Sequence, residues 1–268
     1  MPLNERLLRK RSGNDVEFFH RARAVYGWLA PRPGETVLDC GCASGYNSRN
    51  VLALFRPQRI VAVDLDETLL RGAIAADEGG NVFFVQADAR HLPFRDKSFD
   101  RTMFTEVLEH VPDDAGVLRE VGRVTRAEIV LSTPHLGLAR PAFPVNLVKW
   151  ILMRLPLHLQ HRYAHRSVYQ YEHYTKDIVG HVRDGYTTAE FFELARRAGL
   201  TVRDYCYVYR RIGRRIIDLF YVLQVARQPW LQSLYFRLMG LDGSDREPGL
   251  CLVARLTPEP PGRSEIES

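Results

Sequence analysis

Residues Val37–Ser48 read VLDCGCASGYNS, an apolar strand-like run that ends in an acid and passes through small residues and glycines into a helical pattern. A tight turn that opens a helix is a place for a nucleotide-like ligand, and the spacing decides which kind. A dinucleotide-binding turn follows G-x-G-x-x-G, so that the backbone meets a pyrophosphate at the helix N-terminus. Here the spacing is Asp39-x-Gly41-x-Ala43-x-Gly45, which is a different turn. A carboxylate ahead of the first glycine repels a pyrophosphate and can accept from an ammonium group. Small residues at alternate positions leave room for a flat, uncharged nucleoside against the backbone.

Outward from this turn, short apolar runs alternate with helical patterns. Thr36–Cys40, Ile60–Asp64, Val82–Gln86, Phe99–Thr105 and Ile129–Ser132 read as buried strands, with helices at Tyr46–Phe55, Glu67–Ala76 and Asp113–Val124. A helix at Thr188–Ala198, ended by Gly199, leads to a strand at Thr201–Tyr209, and Gly249–Leu256 forms the last strand. The alternation predicts an α/β fold with a doubly wound, mostly parallel, seven-stranded Rossmann-like sheet. Ligands of such sheets bind beyond the carboxyl ends of the strands. Residues 141–186 and 211–248 break the rhythm and read as helical insertions that cap a single domain spanning 1–257. The tail 258–268, rich in Pro, Glu and Ser, reads as disordered.

Three further segments stand where a ligand site needs them. VAVDLDETLL puts Asp64 at the end of the second strand, VQADARHLPFRDKSFD puts Asp88 and Ala89 after the third, and FTEVLEHVPDD follows the fourth. Together with the opening loop, in this order and spacing over Val37–Pro134, they resemble the class I S-adenosylmethionine-dependent methyltransferases, of the type 11 or ubiquinone-pathway-like group. The first motif of that family is usually D/E-x-G-x-G-x-G, so Ala43 departs from it mildly. The resemblance implies S-adenosylmethionine as cofactor, held by Asp39, Gly41, Ala43, Gly45, Asp64, Leu65, Asp88, Ala89 and Thr105. In it Asp64 takes the ribose hydroxyls and Asp88 the adenine amino group.

Methyl transfer from a sulfonium needs an acceptor held in line, water excluded, and in many cases a group that takes the acceptor's proton. Glu106, Glu109 and His110 form E-x-x-E-H, with Glu106 and His110 on one face if the segment is helical. Glu106, His110 and His181 are the expected catalytic residues. The same segment resembles that of ubiquinone-pathway and small-RNA O-methyltransferases, where it contributes to a divalent-metal site, with His135 or His181 as completions here. Metal is not favoured, because relatives without metal carry L-E-H-V at this point and no further ligand is assured. Arg183 and Tyr186 share the neighbourhood of His181 and are equally open to a structural role.

The chain of 268 residues has 46% hydrophobic and 26% charged residues, an ordinary globular balance. A formal charge of +5 excludes little. Cys40, Cys42, Cys206 and Cys251 have neither disulfide-framework nor zinc spacing, and the charged N-terminus shows no secretory signal, so a cytoplasmic location is expected. The insertions are apolar with basic punctuation, as in FPVNLVKWILMRLPLHL, and neither reaches the length of a membrane span. They fit a greasy pocket, a helical cap or dimer contact, or a peripheral surface on the inner face of a membrane. The expected acceptor is therefore a lipophilic or lipid-linked small molecule, such as a quinone precursor or glycan, methylated on oxygen. An RNA acceptor is disfavoured, since the insertions lack a concentrated basic and aromatic stacking surface. A non-catalytic binding subunit is disfavoured by the intact acids at positions 39, 64 and 88. The acceptor's identity and the oligomeric state are left open.

Overall fold

A computed structural model describes residues 2–12, 16–77, 79–136, 181–210 and 248–259, with isolated positions 154, 234, 237 and 238. Its seven strands are β1 (Thr36–Cys40), β2 (Arg59–Asp64), β3 (Val82–Gln86), β4 (Phe99–Thr105), β5 (Thr125–Pro134), β6 (Leu200–Val208) and β7 (Cys251–Pro258). They form one sheet in the order β3-β2-β1-β4-β5-β7-β6. The first five pair in parallel, whereas β7 runs antiparallel to both β5 and β6. The sheet is thus mixed at one end. From β1 the chain winds outward to β3, then returns to the other side of β1 with β4. The crevice beyond the carboxyl ends of β1 and β4 is therefore the switch point of the winding.

Six described helices complete the fold: α1 (Glu5–Ser12), α2 (Val16–Leu29), α3 (Tyr46–Phe55), α4 (Glu67–Ala75), α5 (Asp114–Val124) and α6 (Thr188–Arg197). Alternation along the strands divides the core in two, as a pleated sheet requires. In β1, Val37 joins the layer under α1–α3, while Leu38 and Cys40 join the layer under α5 and α6. Asp39 alternates to the side of Val37 and is completely buried. The helix starts follow local chemistry. The Asp66 carboxylate accepts from the Thr68 and Leu69 amides at the head of α4, and Thr187 forms a reciprocal capping box with Glu190 at the head of α6.

The sequence reading has no counterpart for α1 and α2. Phe19, Ala22, Val25, Tyr26 and Leu29 are nevertheless the buried stripe of α2, at the three- and four-residue intervals of an amphipathic helix. This helix packs on β4, β5, β6 and β7. Most of both insertions, and the tail beyond Glu259, lie outside the described residues, so the helical character and cap role expected of them lie there too. No described helix is long and apolar enough to cross a membrane.

Candidate functional site

The predicted cofactor residues gather at the carboxyl edge of the sheet: Asp39, Asp64 and Thr105 at the ends of β1, β2 and β4, and the others in the loops that follow β1, β2 and β3. The chain leaves β1 with Gly41 at φ 78°, Ala43 at 45° and Gly45 at 67°. Repeated left-handed backbone explains the small residues, because a larger side chain meets its own carbonyl there. A Cβ on Gly41 would lie 2.3 Å from Val107 Cγ2, and one on Gly45 would lie 2.8 Å from Phe84 Cε1. The loop is tied across to β2, with Gly41 and Cys42 amides donating to the Val63 carbonyl at 2.8 and 2.9 Å.

Asp64 fixes the loop as well as bordering the site. One carboxylate oxygen accepts from the Ala43 amide at 2.7 Å and the other from the Asp66 amide at 3.0 Å. Each oxygen keeps a lone pair for a further donor. Beside it Leu65 is 64% exposed, an apolar surface of the kind that a flat aromatic ring covers. Ala89 is half-buried against the core. Thr105, at the end of β4, accepts from Asn47 of α3 at 3.2 Å, and Asn47 in turn accepts from the Tyr26 hydroxyl at 2.6 Å. This chain of polar contacts ties α2, α3 and β4 together behind the loop.

Two acids behave otherwise than the motif alone implies. Asp39 has no exposed surface, and one of its oxygens accepts from the Ser48 hydroxyl at 2.5 Å while the other has no partner. Burial pushes its carboxyl up to about 7. It can act on a ligand through its charge but offers no surface for direct contact. Asp88 is engaged by Arg90, whose side chain donates to both carboxylate oxygens and holds the carboxyl below its usual range. The pair is substantially exposed, and exposed pairs contribute about 0–1 kcal/mol. An incoming donor can therefore displace Arg90 at small cost.

After β4 the expected α-helical face does not form. Glu106 has φ 54°, its amide donates to the Ser132 carbonyl at 2.9 Å, and only a single 3₁₀ turn, Leu108–His110, follows. The left-handed residue redirects the chain, so Glu106 and His110 do not stack as i and i+4 of a helix. Glu106 accepts from Ser132 Oγ at 2.7 Å and pairs with Arg21 of α2 at 3.3 Å. Arg21 and Ser132 were not among the predicted site residues. Arg21 lies on the helix that the sequence reading passed over.

His110 finds a different companion. Its ring meets His181 edge-to-face at 4.4 Å between centroids, and Glu109, His110 and His181 offer ligand atoms within 4.8 Å of one another. The Val182 amide donates to the Glu109 carbonyl at 2.9 Å, which holds the His181 segment in place. Glu109 is buried beside Glu106, and both effects raise its carboxyl to about 8. Burial and the neighbouring His110 lower the His181 imidazole. His135 is not brought into this group's hydrogen bonding: its ring nitrogens engage the Gly249 carbonyl at 2.9 Å and Thr188 Oγ at 3.1 Å. Arg183 and Tyr186 are also occupied, both bonded to Asp114 at 2.8 and 3.0 Å.

Comparison with known proteins points the same way. Residues 38–131 match a family model described as a methyltransferase domain. A probable S-adenosylmethionine-dependent methyltransferase of Mycolicibacterium smegmatis is 32% identical over 236 residues, covering 81% of this chain and 76% of that protein. A probable S-adenosylmethionine-dependent methyltransferase of Mycobacterium tuberculosis is 36% identical over 126 residues, 45% of this chain, and the match spans only 44% of that relative's length. The 27-O-demethylrifamycin SV methyltransferase of Amycolatopsis mediterranei is 28% identical over 221 residues, covering 76% of this chain and 80% of that one.

Proposed function

The chain belongs to the class I S-adenosylmethionine-dependent methyltransferases, and from that premise we propose that it methylates an oxygen of a lipophilic or lipid-linked small molecule. The observation that carries the cofactor assignment is the cradle after β1. Its left-handed glycines, the partnerless buried oxygen of Asp39 and the bare face of Leu65 fit a cationic nucleoside better than a pyrophosphate. When bound, the cofactor supplies a methyl group already activated as a sulfonium substituent. Asp64 would hold the ribose hydroxyls with its remaining lone pairs, Leu65 and Ala89 would flank the base, and Asp88 would take the base's amino group in exchange for Arg90.

The chain's own part in the transfer is positioning, dehydration and proton acceptance. Glu106 and His110 follow β4 and His181 packs against His110, and these three are the proposed proton-handling groups. Arg21 and Ser132 hold Glu106 in place. A lipophilic acceptor is supported by the apolar sequence of the two insertions, and methylation on oxygen by a relative named 27-O-demethylrifamycin SV methyltransferase.

The cluster Glu109, His110 and His181 favours a second reading, a divalent cation bound by these donors and acting on the acceptor oxygen as a Lewis acid. Both readings are tested by incubating the purified protein with methyl-labelled cofactor and a cell extract, then separating lipid, glycan, RNA and protein pools. Label is expected in the lipid pool, with and without chelator. Label confined to RNA or protein would contradict the proposed acceptor. Stoichiometric metal in the active protein, lost together with activity on chelation, would establish the second reading instead.

A further inference from the structure

Asp39 is a carboxyl group with no exposed surface, hydrogen-bonded by Ser48 of α3 and with one carboxylate oxygen left without a partner. Among the described residues no cation acts on it, and Arg21 of α2, which acts on the neighbouring Tyr26, is paired with Glu106. β2 brings Asp64, a second acid; α2 brings the phenol of Tyr26; α3 brings Ser48; and the flanking thiols are Cys40 and Cys42. β4 lies alongside with Met103 in register. None of these groups is cationic. A buried carboxylate without a cation is strongly disfavoured, and such a group takes up a proton instead. Yet Asp39 lies directly under the loop whose left-handed turns form the cofactor cradle.

Resting on the cofactor reading above, we propose that Asp39 is protonated in the free protein and releases its proton when a positively charged ligand settles on the loop. The step balances simply: the Asp39 O–H bond breaks, its electron pair stays on the carboxylate, and the proton goes to solvent. The ligand's ammonium and sulfonium charges then supply the attraction that the protein lacks. Carboxylate and ligand need no direct contact, because charges interact strongly across a poorly solvated gap. The direction of the pH dependence follows. The free protein holds a proton that the complex does not, so affinity rises with pH until the free-state carboxyl, at about 7, is ionised, and this group adds nothing further above. Below that point the slope approaches tenfold per pH unit.

Isothermal titration of S-adenosylmethionine into the full chain at pH 6, in buffers of different ionisation enthalpy, reads proton release directly. About one proton per cofactor is expected from the wild type, and none from Asp39→Asn, which is neutral throughout. The variant should also lose the steep pH dependence of affinity. Wild-type binding with heats independent of buffer would overturn the proposal while leaving the cofactor reading intact, as would unchanged proton release from a folded Asp39→Asn. Absence of binding in every buffer would overturn both. Circular dichroism of the variant verifies folding, and a folding failure is bypassed by the wild-type buffer comparison, which decides alone.

Discussion

Gly41→Val is expected to abolish measurable cofactor binding and to destabilise the protein by about 2–5 kcal/mol. The residue sits at φ 78°, where a side chain costs about 1–2 kcal/mol. Its Cβ would also meet Val107 Cγ2 at 2.3 Å, and overpacking of this sort costs about 1–3 kcal/mol. Val107 is β-branched and has few rotamers with which to yield. The cost therefore falls on the loop or on the segment after β4, and both border the site. Differential scanning calorimetry should show a midpoint lowered by roughly 2–4 °C for each kcal/mol lost. The pair Gly41→Ala with Val107→Ala relieves the contact and leaves the backbone strain, so partial recovery is expected. Full stability and binding in Gly41→Val would show that the loop is not the close-approach surface described above.

Asp64→Ala is expected to weaken S-adenosylmethionine binding roughly tenfold to a hundredfold. Hydrogen bonds to a charged group are worth about 1.5–3 kcal/mol, and each 1.4 kcal/mol is a factor of about ten. The residue acts twice, since its carboxylate also accepts from the Ala43 and Asp66 amides. Asp64→Asn separates these roles. Its carbonyl oxygen can still accept from one amide, so the loop keeps part of its tether while the charge is lost. Titration of both folded variants should therefore rank wild type above Asn and Asn above Ala. Equal affinity for all three would remove the residue from the site.

The turn after β1 was readable because it depends on backbone requirements that few residues satisfy. Glycine at 41 and 45 and an acid at the end of β2 are consequences of turn geometry, and such constraints show in a single sequence. The strand and helix limits around them follow within a few residues for the same reason. The half that faces the acceptor was less readable. Whether Glu106 continues a helix depends on one dihedral angle and on the Ser132 carbonyl 26 positions away, and local pattern carries neither. His181 reaches His110 because the end of the first insertion returns along Glu109, a long-range contact with no sequence period. Arg90 competes for Asp88 from only two residues away, yet nothing in the motif marks it. By contrast, α2 had a visible apolar stripe, and with it Arg21 could have been placed near the site.

The cofactor assignment is tested most directly by equilibrium dialysis of the purified chain against methyl-labelled S-adenosylmethionine, with unlabelled S-adenosylhomocysteine, NAD and ATP as competitors. One equivalent of label should bind per chain, displaced by S-adenosylhomocysteine and unaffected by the two phosphate-bearing nucleotides. No bound label, or displacement by NAD or ATP as effective as by S-adenosylhomocysteine, would contradict it.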